Sequence, residues 1–253
     1  IQKQETATAK LERDKIGSLL LHYSVPAIVG MVVASLYNIV DRVFIGQGVG
    51  PLAISGLALT FPLMNLAAAF GSLVGVGAAT LVSMRLGQRD YETAQRVLGN
   101  VLVLNLIIGI SFGLVTLAFL DPILYFFGAS EATIGYAREY MTVILLGNVV
   151  THMYLGLNSV LRASGHPRKS MYATIITVVI NAVLDPIFIF GFGWGIRGAA
   201  IATVLAQIGS FGAAFIFMLR NREKFDFEAR LSYFKLDGEV MKIIIKLGVP
   251  QVV

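Results

Sequence analysis

The sequence contains no cysteine and few charged residues. The absence of cysteine from all 253 residues excludes disulfides, thiolate chemistry and cysteine-bound metal within the chain. Lys, Arg, Asp and Glu together make up 14% of the residues, against about 25% in an ordinary soluble domain. The three histidines, His22, His152 and His166, are widely separated in the sequence and do not suggest a metal cluster.

Apolar residues are abundant instead. They make up 56% of the chain, and the mean hydropathy is +0.76. A water-soluble chain of this composition could not cover its own apolar surface, so the sequence predicts an integral membrane protein. The formal net charge is +5, but the basic residues lie in short loops between apolar runs. That distribution is typical of membrane orientation and does not favour nucleic-acid binding.

Six apolar runs are long enough to cross a bilayer, which requires about 20 residues in a helix. They cover 16–46, 52–84, 96–120, 131–163, 170–193 and 197–220. The first, second and fourth runs exceed the required length, so we expect them to tilt, bend or protrude. Pro26 and Pro62 are the expected bend points, because proline removes a helical hydrogen bond and clashes with the preceding turn.

Lys and Arg indicate the orientation of these spans. All but three of the 20 fall in the N-terminal tail, in the loops after spans two and four, or after span six; the exceptions are Arg42, Arg138 and Arg197. The positive-inside rule therefore predicts a cytoplasmic N-terminus. The first fifteen residues are polar and lack a cleavable signal pattern, so the first span is expected to be retained.

A seventh run begins near Val240 and resembles the first. Residues Ile16 to Val29, IGSLLLHYSVPAIV, align without a gap with Val240 to Val253, VMKIIIKLGVPQVV. This match predicts two parallel six-helix repeats, an arrangement typical of secondary transporters. The expected organisation is a cytoplasmic tail at 1–15, a six-helix lobe at 16–220, a cytoplasmic, amphipathic linker at 221–239 and the start of helix seven at 240–253, where the chain is cut.

A few polar residues interrupt the apolar runs. Placing an aspartate at the centre of a membrane helix costs about 2.5–3.5 kcal/mol, so Asp41 and Asp185 require an explanation. Each lies about seven residues from the outer end of its span, or about 10 Å deep. Thr203 lies at a similar depth, and Asn181 shares a helix face with Asp185. These oxygen-bearing groups suit a hard cation or a proton.

Structural roles for the same residues remain open at this stage. Asp41 could pair with Arg42, and Asp185, which precedes Pro186, could mark a helix break. Asn158, Asn181 and Thr203 could form helix–helix hydrogen bonds, while Tyr37 and Asn38 could serve in packing. Pro26, which leaves the carbonyl of His22 without its helical partner, could produce either a static kink or a moving bend.

Several segments resemble one family of transporters. They are LYNIVDRVFIGQGVG at Leu36 to Gly50, LRASGHPRKSM at Leu161 to Met171 and NAVLDPIFIFGFGWGIRGAAIAT at Asn181 to Thr203. The chain is similar over its whole length to the multidrug and toxic-compound extrusion (MATE) transporters, and in particular to their prokaryotic MepA-like or DinF-like branch. The resemblance implies an all-α integral membrane fold, the six-helix N-lobe of a twelve-helix, two-repeat transporter, truncated at the start of helix seven.

The resemblance also implies a function. Such transporters exchange small organic cations and other drugs for H⁺ or Na⁺ and carry no cofactor. We expect the full-length protein to be a monomer among the lipids of a bacterial or archaeal cytoplasmic membrane, without a nucleic-acid partner. The implied cation site, which can take Na⁺, comprises Asp41, Asn181, Asp185 and Thr203. The implied supporting polar network comprises Asn158, Tyr37 and Asn38, and Pro26 is the implied bend in helix one.

Two alternative functions follow from other considerations. A flippase for lipid-linked oligosaccharides or precursors shares the superfamily architecture and would be favoured by a cationic central groove, for which Arg42 is the one outer-half intramembrane base. A membrane enzyme or receptor is disfavoured, because the sequence has no paired His/Asp motif, nucleophile with a base, or phosphate loop. The sequence therefore predicts a transporter and not an enzyme.

Overall fold

The computed structural model describes residues 15–220 and 236–251, and in that part every regular element is a helix. The predicted cytoplasmic tail, apart from Lys15, and residues 221–235 of the predicted linker lie outside the described residues. The α-helices are α1 (Ile16–Gly48), α2 (Pro51–Gly87), α3 (Tyr91–Ala118), α4 (Leu120–Phe126), α5 (Ile134–Leu146), α6 (Asn148–Ala163), α7 (Pro167–Pro186), α8 (Gly195–Arg220) and α9 (Gly238–Gly248).

Five of these helices are long and apolar enough to cross a membrane, and a bent pair makes a sixth span. The five are α1, α2, α3, α7 and α8, and the pair is α5 with α6. Helices satisfy every backbone hydrogen bond within one segment, which is what hydrocarbon requires of a spanning chain. The prediction of a multi-pass, all-α membrane protein is confirmed, with six spans when the bent pair counts as one.

The helix ends follow local signals that periodicity alone does not reveal. Span three begins at Tyr91 rather than near 96, because the Asp90 carboxylate accepts a 3.1 Å hydrogen bond from the Thr93 amide and caps the helix. Pro51 and Pro167 stand at the first positions of α2 and α7, where a missing N–H costs nothing. Helix α9 begins at Gly238, two residues before the predicted start, because Asp237 caps it.

The fourth span differs from the expected continuous helix over 131–163. It consists of α5 and α6, which meet at Gly147 with a bend of 57°. A Cβ on Gly147 would lie 2.5 Å from a methyl group of Val204, so the missing side chain lets α8 approach the bend closely. Helix assignment in α1 and α2 is continuous through Pro26 and Pro62, and bending at Pro26 stays a prediction.

The spans form two packed groups. Helix α1 packs mainly against α7, which in turn packs against α8; α2 packs against α3 and α6. Helix α6 also contacts α7 and α8 and so joins the groups. Because α1 leaves its sequence neighbour α2 to lie on α7, residues about 145 positions apart in sequence come together in the first group.

Helix α9 lies against α2 and α3. Gly77 and Gly248 allow a very close crossing. A Cβ on Gly77 would collide with the backbone carbonyl of Ile244, and a Cβ on Gly248 would collide with that of Leu73. Close backbone approach through small residues is the usual way in which membrane helices pack tightly. The start of the predicted second repeat is thus packed onto the first six spans.

Candidate cation site

Asp41 is buried although it lies on the most exposed helix of the structure. The buried residues of α1 are Pro26, Asp41 and Ile45, whereas both sequence neighbours of Asp41 are exposed. The Asp41 side of α1 faces α7 and α8. A carboxylate 5% exposed in a membrane helix needs a partner, because its desolvation is costly.

Helix α7 supplies Asn181 and Asp185 from one face, four residues apart. Their exposures are 1% and 0%. The α-helix ends at Pro186, one residue after Asp185, and Ile187–Gly191 continues as a π-helical turn. Turns of this type often occur at functional sites. Asp185 is therefore a buried carboxylate next to the change from α-helix to π-helix, and its role in a cation site stays a prediction.

Thr203 on α8 holds the site together through its hydroxyl group. This hydroxyl donates to the carbonyl of Ala199 at 3.1 Å and accepts from Asn181 Nδ2 at 3.3 Å. The phenol of Tyr37 lies 3.1 Å away. Because the one hydroxyl proton of Thr203 points to Ala199, Tyr37 is the donor in this contact. Asn181 and Tyr37 thus both direct a donor at Thr203.

Four buried oxygen atoms of this cluster have no hydrogen-bond partner among the described residues. They are Asp41 Oδ1, Asn181 Oδ1 and both carboxylate oxygens of Asp185. The two carboxyl groups interact directly and lie close enough for a hydrogen bond if one is protonated. Two unprotonated carboxylates in this position would repel each other, and unpaired buried oxygens are costly. The cluster is therefore suited to a bound cation or a shared proton.

The donor set fits a small hard cation better than a transition metal. Carboxylate, amide and hydroxyl oxygens are the ligands that hard cations take. Among residues 15–220 and 236–251, no three His, Cys, Asp or Glu side chains come together as a metal site. The orphaned oxygens of Asp41, Asn181 and Asp185 could thus hold Na⁺, or a proton could bridge the two aspartates.

The structure brings together most of the predicted site. Asp41, Asn181, Asp185 and Thr203 lie in one cluster, and Tyr37 joins it through Thr203. Asn38 does not join, since it is exposed and its side-chain amide donates to Ala34 O of its own helix at 2.8 Å. Asn158 does not join either; it lies on α6, nearer the inner face, where it bonds Tyr154 of its own helix and Thr174 of α7.

Arg42 makes no ion pair with Asp41 among the described residues. Its guanidinium lies over the ring of Phe61, 5.3 Å from the ring centre, which is a cation–π arrangement. Sequence reasoning missed Tyr140 on α5, which is 2% exposed and lies within electrostatic range of Asp41, Asp185 and Tyr37. No pattern in its own segment distinguishes it from a packing tyrosine, so only the packing of α5 against α8 reveals it.

Fold and site together define a class of protein. It is a polytopic helical membrane protein in which buried carboxylates from different spans form an oxygen-rich cluster, as in secondary transporters. A family model described as MatE matches residues 26–187. The chain belongs to the MatE family of multidrug and toxic-compound extrusion transporters.

Individual relatives cover nearly the whole chain. The Multidrug export protein MepA of Staphylococcus aureus strain NCTC 8325 is 30% identical over 239 residues, which are 94% of this chain and 52% of MepA. The chain spans about half the length of the curated relatives it matches.

Solved structures give the same result. One is described as the outward-facing conformation of a multidrug resistance MATE family transporter of the MOP superfamily; it has a TM-score of 0.89 and 30% identity, over 99% of this chain and 55% of that one. A MOP superfamily transporter from Pyrococcus furiosus has a TM-score of 0.89 and 29% identity over the same shares; its description states that reverse polarity of its binding pocket suggests a different function. The prediction that this chain is one lobe of a MATE transporter is confirmed.

Proposed function

We propose that the full-length protein is a secondary multidrug exporter that exchanges organic, often cationic, compounds for H⁺ or Na⁺. The observation that supports this proposal is the set of four partnerless oxygens on Asp41, Asn181 and Asp185. Unpaired buried oxygens and unpaired buried charges are costly. We therefore expect this cluster to bind a cation or a proton during the transport cycle. The family and the drug-exporting relatives supply the expected cargo.

The cluster can couple ion and drug because it joins separate helices. Asp41 comes from α1, the Asn181–Asp185 face from α7, and Thr203 from α8. Binding a cation between the aspartates removes their repulsion and lets α1 pack more closely on α7. If the drug-binding state needs the looser packing, cation and drug disfavour each other's binding by the same free energy. Outward entry of the cation then releases drug to the outside.

The drug cavity would require both lobes. Much of α1 is exposed, including Leu20, Leu36 and Ile39, and this surface is too apolar to face water. In the full-length protein we expect the second lobe and the lipid to cover it. The N-lobe would thus carry the cation cluster and supply one wall of the drug cavity.

Liposomes that contain the full-length protein provide the test. We expect a fluorescent organic cation to leave against its gradient when an opposing H⁺ or Na⁺ gradient is imposed. The Asp41→Asn variant should insert normally and lose coupled efflux, because the amide keeps the shape but not the negative charge. Asp121→Asn is the matched control, since Asp121 is a half-exposed carboxylate paired with Arg138. Normal efflux by Asp41→Asn contradicts the proposal.

The same liposomes identify the coupling ion, and membrane vesicles prepared from cells test the orientation. Applying a pH gradient and a Na⁺ gradient separately shows which one drives efflux. We propose a cytoplasmic N-terminus in a bacterial or archaeal cytoplasmic membrane. A protease-cleavable N-terminal tag that is cut only in inverted vesicles supports this orientation, and cutting in right-side-out vesicles contradicts it.

A flippase for lipid-linked precursors is the second candidate. Arg42 is the charged residue of an open, largely apolar cleft of about 490 Å³ between α1 and α2, whose lining also includes Ile39, Gln47 and Pro51, and its guanidinium could bind an anionic headgroup. The similar transporter from Pyrococcus furiosus, whose reversed pocket polarity is described as suggesting a different function, keeps this candidate open. In the liposome assay, translocation of a fluorescent lipid-linked diphosphate without efflux of an organic cation would favour this candidate.

A further inference from the structure

The buried face of α7 lacks large apolar side chains. Its buried residues are Pro167, Ser170, Ala173, Asn181 and Asp185. The lobe has two hydrophobic clusters, one near each membrane face, and α7 supplies no residue to either of them. Small and hydroxyl-bearing residues are common where membrane helices pack closely, but Asn181 and Asp185 on the same face are costly there and indicate a functional role for it.

The polar residues of α7 continue the cation cluster along one helix face. Ser170, Thr174, Thr177, Asn181 and Asp185 are separated by four, three, four and four residues, which places them on one side of the helix. Fifteen residues at 1.5 Å each span about 22 Å of a hydrocarbon core about 30 Å thick. The stripe thus runs from the cluster towards the membrane face predicted to be cytoplasmic.

The neighbouring helices direct polar residues at the same stripe. At the inner end, Asn158 Nδ2 lies 3.3 Å from Thr174 Oγ1, which also lies 3.3 Å from the phenol of Tyr154. Ser170 donates a short hydrogen bond to Asn158 Oδ1. Four side chains from α6 and α7 therefore form one hydrogen-bonded group.

A second group lies in the middle of the stripe. Thr177 Oγ1 donates to Ser210 Oγ on α8 at 2.7 Å, and Ser210 donates to the carbonyl of Ala173 at 3.0 Å. One turn along α8 from Ser210, Gln207 Oε1 accepts a 2.5 Å hydrogen bond from Thr151 of α6. Ser210 is fully buried, so this group lies inside the bundle.

These groups continue from the Asp41/Asp185 cluster as a polar column inside the α6/α7/α8 bundle. We define the polar column as the side chains between the cluster and the inner membrane face, namely Thr151, Tyr154, Asn158, Ser170, Thr174, Thr177, Gln207 and Ser210. Successive groups along α7 are one helical turn apart, about 5–6 Å between neighbouring Cβ atoms. One water molecule can bridge each step, and polar lining is the condition for a buried water.

The other side of the lobe provides a contrast at the same depth. Where α2, α3 and α6 meet near the inner face, the packed residues are Val74, Ala78, Leu81, Val101 and Leu157. Buried polar residues occur on that side too, among them Asn100 and Asn105 of α3, but Asn105 makes no hydrogen bond among the described residues. The hydrogen-bonded groups along α7 are therefore what distinguishes the bundle around that helix.

We propose that the polar column is a water-filled route by which the coupling cation passes between the Asp41/Asp185 cluster and the cytoplasmic face. This inference rests on the proposed function, because only a coupled transporter needs inward release of the cation. The cation would leave through the interior of the lobe while the drug moves through the cavity between lobes. The two cargoes therefore do not have to share one path.

Both candidate cations are compatible with this chemistry, and the test separates them. Hydroxyl groups donate and accept, so a file of Thr, Ser, Tyr and water can pass protons between neighbours. The hydroxyl contacts of 2.7–3.3 Å leave no room for a hydrated Na⁺ without movement of the helices. A Na⁺ that sheds most of its water shell would need the hydroxyl and amide oxygens of the polar column as ligands.

Silver ion is a suitable probe because it is small, enters with water and reacts with thiols, and this chain has no cysteine of its own. Ser210→Cys would be placed in the full-length protein, with cysteines outside this chain replaced. The matched control is Val101→Cys. Ser210 lies ten residues from the inner end of α8 and Val101 ten residues from the inner end of α3, both about 15 Å deep, and both are fully buried.

Ag⁺ is applied to the cytoplasmic face of vesicles in nitrate buffer, and thiols that remain free are labelled after denaturation. We expect Ag⁺ to reduce labelling of Ser210→Cys at least tenfold and to leave Val101→Cys unchanged. Equal labelling of the two variants, whether both are blocked or both are free, overturns the route. Labelling does not depend on transport. If the two cysteine variants differ in labelling as expected but the protein shows no coupled efflux, only the proposed function is refuted and the route stands.

A double variant tests whether the water-filled route carries the cation. Thr177→Val with Ser210→Ala removes the central hydroxyls at nearly constant volume. We expect cation-coupled efflux to slow at least tenfold while the Kd for drug stays within twofold. Thr60→Val is the control, since Thr60 is a fully buried threonine that bonds its own helix. Wild-type efflux by the double variant overturns the route, as does a parallel loss of drug binding.

The identity of the cation follows from the wild-type protein. Slower efflux in D₂O under a pH gradient assigns the route to protons. Efflux driven by Na⁺ and indifferent to D₂O assigns it to a largely dehydrated Na⁺.

Discussion

Asn181 Nδ2 lies 3.3 Å from Thr203 Oγ1 and thereby joins α7 to α8 beside the two buried aspartates. Tyr37 adds a second donor to the same hydroxyl from α1, at 3.1 Å. A threonine hydroxyl has one proton and two lone pairs, and Ala199 accepts the proton. The hydrogen-bonding capacity of Thr203 is therefore fully used, and it can bind a cation only if Tyr37 or Asn181 withdraws.

This competition predicts opposite effects for two variants. Tyr37→Phe frees a lone pair on Thr203, so the affinity for the coupling cation should rise severalfold. Thr203→Val removes the oxygen and leaves two donors unpaired, so affinity should fall about tenfold, since a lost hydrogen bond is worth about 1–1.5 kcal/mol. Cation titration of the purified full-length protein by calorimetry measures both. If the two variants change affinity in the same direction, Thr203 is not a ligand in competition with Tyr37.

A second prediction concerns the crossing of α2 and α9. Gly77→Ala places a Cβ against the backbone of Ile244, and a backbone cannot move aside as a side chain can. Forced overpacking costs about 1–3 kcal/mol, so the thermal unfolding midpoint in detergent should fall. Gly30→Ala is the control, because nothing lies within 4 Å of the added Cβ and alanine favours the helix. A midpoint for Gly77→Ala equal to that of Gly30→Ala would show that α9 does not hold this position.

A third prediction concerns the bend in the fourth span. Gly147→Ala should destabilise the lobe, because its Cβ would meet two methyl groups of Val204 at 2.5 and 2.7 Å. Val204→Ala removes both methyl groups, so the double variant should lose less stability than the sum of the two single variants. The expected coupling is about 0.5–3 kcal/mol, measured from unfolding midpoints in urea or SDS. Strict additivity would mean that the bend is set by other contacts.

The spans and most of the candidate cation site could be predicted from the sequence. Apolar length and the positions of Lys and Arg define six spans, because hydrocarbon allows few alternatives to a helix. Asp41 and Asp185 stand out because charge is costly in that setting. Matching depth then indicated Thr203 as a third member, and the helical spacing of four residues added Asn181.

The remaining details depend on how the helices pack. The bend at Gly147 depends on the approach of Val204, which is 57 residues away in sequence. Tyr140 joins the cluster because α5 packs on α8, and Asn38 leaves it because its amide bonds its own helix. Spacing gives the face of one helix; the rotation of that helix against its neighbours follows from tertiary packing.

The last prediction concerns the ion pair that joins α4 to α5. Arg138 Nε and Nη2 donate to the two carboxylate oxygens of Asp121, both at 2.7 Å, which is a bidentate arrangement. These hydrogen bonds and the positive charge of Arg138 hold the pKa of Asp121 below its ordinary value of 3.8. A carboxyl group with a lowered pKa in the folded state stabilises the fold above its ordinary pKa, and this contribution is lost as the pH falls.

Wild-type protein should therefore unfold at a higher temperature than Asp121→Asn above about pH 5, and the difference should shrink as the pH falls below the ordinary aspartate pKa of 3.8. Because both partners are half-exposed, salt should reduce the difference at neutral pH. Thermal unfolding midpoints in detergent across this pH range measure it. Glu131→Gln is the control, since Glu131 is an exposed carboxylate with no basic partner among the described residues; it should follow the wild type at every pH. A difference between wild type and Asp121→Asn that grows towards low pH would contradict the assignment, because the carboxylate would then be destabilising the fold.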